Sequence, residues 1–76
     1  MSLGAVIRMT RQKAFYTQED FAQKLDVAIS TVNRWELNKA RPNMKGMKAI
    51  KRFCEENGIE YGLIEKEWLS VINAEK

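Results

Sequence analysis

Apolar residues in this chain recur in short bursts every three or four positions and almost nowhere in strict alternation. That spacing predicts helices, because only a period near 3.6 gathers such positions on one face. "GAVIRMTRQKAF" sets Val6 or Ile7, Thr10 and Ala14 on one side, with Arg8, Arg11 and Lys13 on others. Thr17 reads as the N-cap of a second helix. "TQED" is a relative of the capping box, with acids in the first turn where the helix dipole favours them. "QEDFAQKL" then offers Phe21, Ala22 and Leu25 for burial before Asp26-Val27 breaks the pattern. A helix that short is marginal alone and has to pack on its neighbours.

A third helix is predicted over Ala28 to Leu37, followed by the loop "NKARPN", where Asn38 suits a left-handed C-terminal position. Asn43 stands ready to cap a fourth helix, in which Met44, Met47, Ile50, Phe53 and Cys54 form one stripe, read as core or interface. Gly58 supplies the left-handed stop, and Ile59 folds back over the last turn. A fifth helix, about 60–74, presents Leu63 or Ile64, Trp68, Val71 and Ile72. The expectation is an all-α fold of five short helices in a single domain, 1–76. Met1-Ser2-Leu3 has the look of a vector remnant and is given little weight.

The third helix has two distinct sides. At about 100° per residue, Ala28, Thr31, Val32 and Trp35 share one arc, which is the side to bury. Ser30, Asn33, Arg34 and Leu37 face the other way, with Ile29 at the border. An arginine fork, an asparagine amide and small side chains are groups that meet base edges in a DNA groove. They also fit the solvated face of any surface helix, so this face alone leaves both readings open.

Charge narrows the choice. Residues 1–54 carry eleven Lys and Arg against four acidic residues, a net +7, whereas residues 55–76 carry two lysines against six glutamates, a net −4. A basic body attracts polyanions, of which nucleic acid is the commonest. Other chemistry lacks its parts. There is no histidine and a single cysteine, Cys54, which argues against zinc ligation and excludes an intrachain disulfide. With no Gly-rich phosphate loop or acidic metal cluster, neither an enzyme nor a cofactor is expected. No apolar run approaches a membrane span of roughly 18 residues, and the N-terminus is too short for a signal peptide. A soluble cytoplasmic protein is the expectation. Trp35 and Trp68 sit at helical spacing and read as core rather than as a ligand pocket; Cys54 reads as a small buried hydrophobe.

Two short helices separated by a tight turn and preceded by a basic helix have the layout of a helix-turn-helix. "TQEDFAQKLDVAISTVNRWELNKARP" resembles the XRE (Cro/CI-type) helix-turn-helix family of bacterial and phage DNA-binding regulators. Thr17, Gln18, Glu19, Ala22, Leu25, Val27, Thr31, Arg34, Trp35, Glu36 and Pro42 stand on that family's pattern. "IRMTRQKAFYTQ" resembles its first helix and the approach to the motif, so the resemblance covers about residues 4–58. It implies a compact five-helix, lambda-repressor-like DNA-binding domain with the motif at about 17–37. The chain departs from the pattern at several places. Asp26 and Asn38 replace glycines, and both residue types tolerate left-handed backbone. Thr10 replaces a usual leucine, which is expected to loosen the core, and Phe21 replaces another. Ala28 and Ile29 make the start of the third helix apolar, which favours a thymine methyl over a hydrogen-bonded contact there.

The resemblance also implies roles. The partner is double-stranded DNA, and the protein a transcriptional regulator, expected to be a repressor. Base contacts fall to Ile29, Ser30, Asn33 and Arg34, with a phosphate as the rival partner for Arg34. Phosphate contacts fall to Gln18, Lys39, Arg41, Arg8 and Lys45, with simple capping as the rival role for Gln18. Arg11 and Glu36 are expected to form a structural ion pair. The fifth helix either closes the monomer core or forms a homodimer seam. A dimer would read a pseudo-palindromic operator with half-sites about one turn, ~34 Å, apart. The alternative function is an antitoxin or accessory module that binds a protein partner through that helix. Leu37, apolar and outward, has no role in either reading.

Overall fold

A computed structural model describes residues 1–74 as five helices: α1 (Leu3–Lys13), α2 (Gln18–Leu25), α3 (Ile29–Glu36), α4 (Met44–Asn57) and α5 (Gly62–Ala74). Among the described residues there is no strand, and no helix is long and apolar enough to cross a membrane. α1 packs on α3 and α5, while α2 packs on α3 and α4. The core between them takes Val6 and Ile7 from α1, Phe21 and Leu25 from α2, and Val32 and Trp35 from α3. α4 adds Met47, Ile50, Phe53 and Cys54, and α5 adds Ile64. Phe53 is the hub. The rings of Tyr16 and Phe21 each meet it edge-on with centroids 4.9 Å apart, the arrangement that opposite ring edges and faces favour. Its neighbour Cys54 is fully buried, and desolvation, aided by the Glu55 charge, pushes its thiol up to about 11.

The helix ends follow the capping chemistry of the sequence. Thr17 Oγ1 accepts from the Asp20 N–H at 3.0 Å, and Asn43 Oδ1 accepts from the Gly46 N–H at 2.9 Å. Asp26, Asn38 and Gly58 all adopt left-handed backbone, with φ of 59°, 60° and 65°. After Gly58 the Ile59 N–H closes on the Cys54 carbonyl at 2.9 Å. A fourth left-handed residue, Phe15 (φ 61°), follows the C-cap Ala14 of α1, and its side chain is 94% exposed.

Two expectations need correction, the weight of the first residues and the burial of Ala28, which is exposed because it is the extended N-cap that precedes α3. Ser2 and Leu3 carry structural weight: Ser2 caps α1 by accepting from the Ala5 N–H at 3.1 Å, and Leu3 is buried in the core. Of the stripe read as core or interface, Met47 lies in the core, and Met44, the first residue of α4, lies outside it at 62% exposure. Thr10, in the place of a usual leucine, is buried, and its Oγ1 donates back to the Val6 carbonyl at 2.9 Å. The open choice at the start of α5 resolves to Ile64 inside and Leu63 outside. α5 closes the monomer core with Ile64, Trp68 and Val71. Trp68 Nε1 also donates to the Pro42 carbonyl at 2.7 Å, tying α5 to the loop before α4.

Candidate nucleic-acid interface

α3 is eight residues long with Val32 and Trp35 buried beneath it. Nothing in so short a helix fixes its orientation except what it touches. Two clamps do so, one on its side and one at its end.

The side clamp starts from Arg11. Its Nε donates to Glu36 Oε2 at 2.7 Å and its Nη2 to Oε1 at 3.0 Å, while Nη1 donates to the Tyr16 carbonyl at 2.9 Å. The two side chains are only 11% and 4% exposed. Such a two-pronged pair sets direction as well as distance. The bond to Glu36 raises the Arg11 pKa above its ordinary value, against the opposing effect of burial. Gln18 Nε2 donates to the remaining lone pair of Glu36 Oε1 at 3.0 Å, and lies 3.4 Å from Asn33 Oδ1. α1, α2 and α3 therefore meet on one carboxylate. Capping of α2 falls to Thr17, not to the Gln18 side chain.

The end clamp joins the N-terminus of α1 to the C-terminus of α3. The Gly4 N–H donates to Asn38 Oδ1 at 2.9 Å, and Asn38 Nδ2 donates to Ser2 Oγ at 3.2 Å. A Cβ on Gly4 would stand 2.5 Å from the Trp35 carbonyl oxygen, 2.7 Å from that of Glu36 and 2.8 Å from Asn38 Oδ1. Only glycine lets the two backbones come this close, and the positive end of one helix dipole then faces the negative end of the other.

Beside these clamps, Ile29, Ser30, Asn33, Arg34 and Leu37 are all exposed on α3. Gln18, the first residue of α2, stands beside Asn33 at one edge. At the other edge lies a groove of about 370 Å³ between α3, α4 and the turn 26–27, and Arg34, Arg41 and Lys45 all line it. Lys39 is exposed in the adjoining loop. Arg8, exposed on α1, is not among the residues that line this groove. One charged rim thus collects cations from α3, the loop and α4, beside a face with an amide, a hydroxyl and a guanidinium. A polyanion with readable edges is the partner that such a surface suits. Sequence spacing did not single out Gly4 or Asn38 as supports of α3. Their contacts span 34 residues, and a glycine inside a helix gives no sign of what approaches it.

Comparison with known proteins agrees with this geometry. The family model HTH_3, described as helix-turn-helix, matches residues 7–59. The HTH-type transcriptional activator BcrR of Enterococcus faecalis is 32% identical over 53 residues, which is 70% of this chain and 26% of that protein. The chain thus spans about a quarter of the length of this curated relative. No solved structure matches it. With the family model covering most of the chain and the motif helices in place, the chain belongs to the XRE (Cro/CI-type) helix-turn-helix family of DNA-binding regulators.

Proposed function

We propose that this protein is a sequence-specific double-stranded DNA-binding regulator that lays α3 in the major groove. The observation that carries the reading is the doubly clamped α3, with an exposed polar face flanked by cations from two further segments. A helix that reads bases must hold its orientation when it meets the duplex, and rigid support is what separates a reading face from a solvated one. Ser30, Asn33 and Arg34 take base edges in this reading, and half-exposed Ile29 takes a thymine methyl. Lys39, Arg41, Lys45 and Arg8 take phosphates. Gln18 retains its backbone N–H at the start of α2 for a phosphate, while its side chain braces Asn33 and Glu36. The proposed output is repression by occupying a promoter. BcrR is an activator by name, but the likeness spans about a quarter of it and does not carry over the direction of regulation. Leu63 and Leu69 remain exposed on α5, an apolar face that a partner can cover, and in this reading it is the seam of a homodimer on a pseudo-palindromic operator.

The test is a selection from random duplexes followed by fluorescence anisotropy at several salt concentrations. Affinity should fall by roughly 0.9 log units per log unit of salt for each phosphate neutralised. Arg34→Ala should cost ~1–3 kcal/mol and relax preference at one base position. No retention on any duplex at low salt, or a flat salt response, refutes the reading. Uniform weakening across sequences would move Arg34 to a phosphate.

A further inference from the structure

The groove between α3 and α4 has a composition that phosphate contact leaves unexplained. Its rim carries Arg34, Arg41 and Lys45 against one acid, Asp26. Its floor is apolar, with Val27, Ala40 and Ala49 half-buried along it. A bare phosphate gains nothing from an apolar floor, and a neutral apolar molecule gains nothing from the cations on the rim. The volume, about 370 Å³, lies at the small end of the ~300–1,000 Å³ range of ligand sites and suits one or two fused rings.

We propose that this groove binds a small amphipathic anion, an aromatic carboxylate or sulfonate. The ring lies on Val27, Ala40 and Ala49, and the acid group lies between Arg34 and Lys45. Guanidinium groups favour planar carboxylates and stack on flat rings, so both parts of such a molecule find partners here. Arg34 stands on the border between this groove and the outward face of α3. One guanidinium cannot serve an anion in the groove and a base edge at once. Occupancy therefore competes with DNA; this consequence rests on the DNA-binding reading above, whereas the binding itself does not.

The direct test titrates the isotope-labelled full chain with 2-naphthoate in the absence of DNA and follows backbone amides by NMR. Saturable shifts are expected at residues 26–27, 31–35 and 40–49. The neutral analogue 2-naphthalenemethanol and inorganic phosphate should each bind at least about tenfold more weakly, since each loses half of the recognition. Lys45→Glu, at an exposed position, should weaken naphthoate at least about tenfold with the remaining amides unmoved. Ala49→Phe should abolish binding by filling the floor. Scattered or non-saturating shifts would overturn the proposal, and so would undiminished binding by Lys45→Glu. Phosphate binding as tightly as naphthoate would also overturn it and leave the groove a phosphate seat. A second measurement follows release of a labelled duplex by naphthoate. Naphthoate binding without duplex retention leaves the groove standing and sinks the regulator reading. Duplex retention without naphthoate binding does the reverse.

Discussion

Gly4→Ala adds one methyl group to the molecule and should destabilise it clearly. The new Cβ would stand 2.5 Å from the Trp35 carbonyl oxygen, against a relaxed C···O separation of roughly 3.3 Å, an overlap of about 0.8 Å. Two further oxygens, at 2.7 and 2.8 Å, close off movement to either side. Two of the three are backbone atoms at the end of α3, so no side chain can simply rotate away. α1 must shift, and overpacking of this kind costs ~1–3 kcal/mol. The shift also stretches the Gly4–Asn38 hydrogen bond, worth about 1 kcal/mol. Against this stands the better helix propensity of alanine, up to about 1 kcal/mol and less near a helix start. The net loss is about 2 kcal/mol, and a domain of this size loses ~4–8 °C in melting temperature per kcal/mol, so the melt should fall by ~8–16 °C. Thermal melts followed by far-UV circular dichroism measure this. Ala5→Gly, at the half-exposed neighbour, reports the propensity change alone and should cost no more than about 1 kcal/mol. A Gly4→Ala protein melting at or above the parent would refute the close-approach argument.

Arg11→Ala leaves the Glu36 carboxylate, 4% exposed, with only the Gln18 amide. It should lose about 3 kcal/mol in urea unfolding and weaken any duplex binding indirectly, and an unchanged midpoint would count against the clamp. The double change Arg11→Met with Glu36→Leu should recover much of that loss, because no charge is then stranded. Phe15→Gly should raise stability by about 1 kcal/mol, since an L-residue strains in left-handed backbone and the side chain buries almost nothing. A lower melting temperature would mean that the ring packs on something after all.

How far these features were legible differs from residue to residue. Helix number and order follow from apolar spacing and from caps at Thr17 and Asn43, because those signals act within one or two turns. Asp26, Asn38 and Gly58 were readable as left-handed for the same local reason. Phe15 was not, since an aromatic residue carries no preference for that backbone and only the turn geometry imposes it. Asn38 was half legible. Its backbone role follows from residue type, but its amide clamps Ser2 and Gly4, which lie far back in the sequence. The outward face of α3 could be drawn on a helical wheel. Its third-party support through Gln18, and the groove that joins Arg34 to Lys45, exist only once α2 and α4 are in place.

The lone thiol has a practical consequence. Cys54 is sealed beside the aromatic hub, and its thiolate form is disfavoured until well into alkaline pH. A thiol-reactive dye at mildly alkaline pH therefore modifies only molecules that have opened, and with fast reclosing its rate reads the population of that opened state. The native chain thus carries its own gauge of conformational escape at the centre of the fold. Labelling with and without a bound duplex would register how firmly an external partner keeps the interior shut, with no tag and no engineered residue.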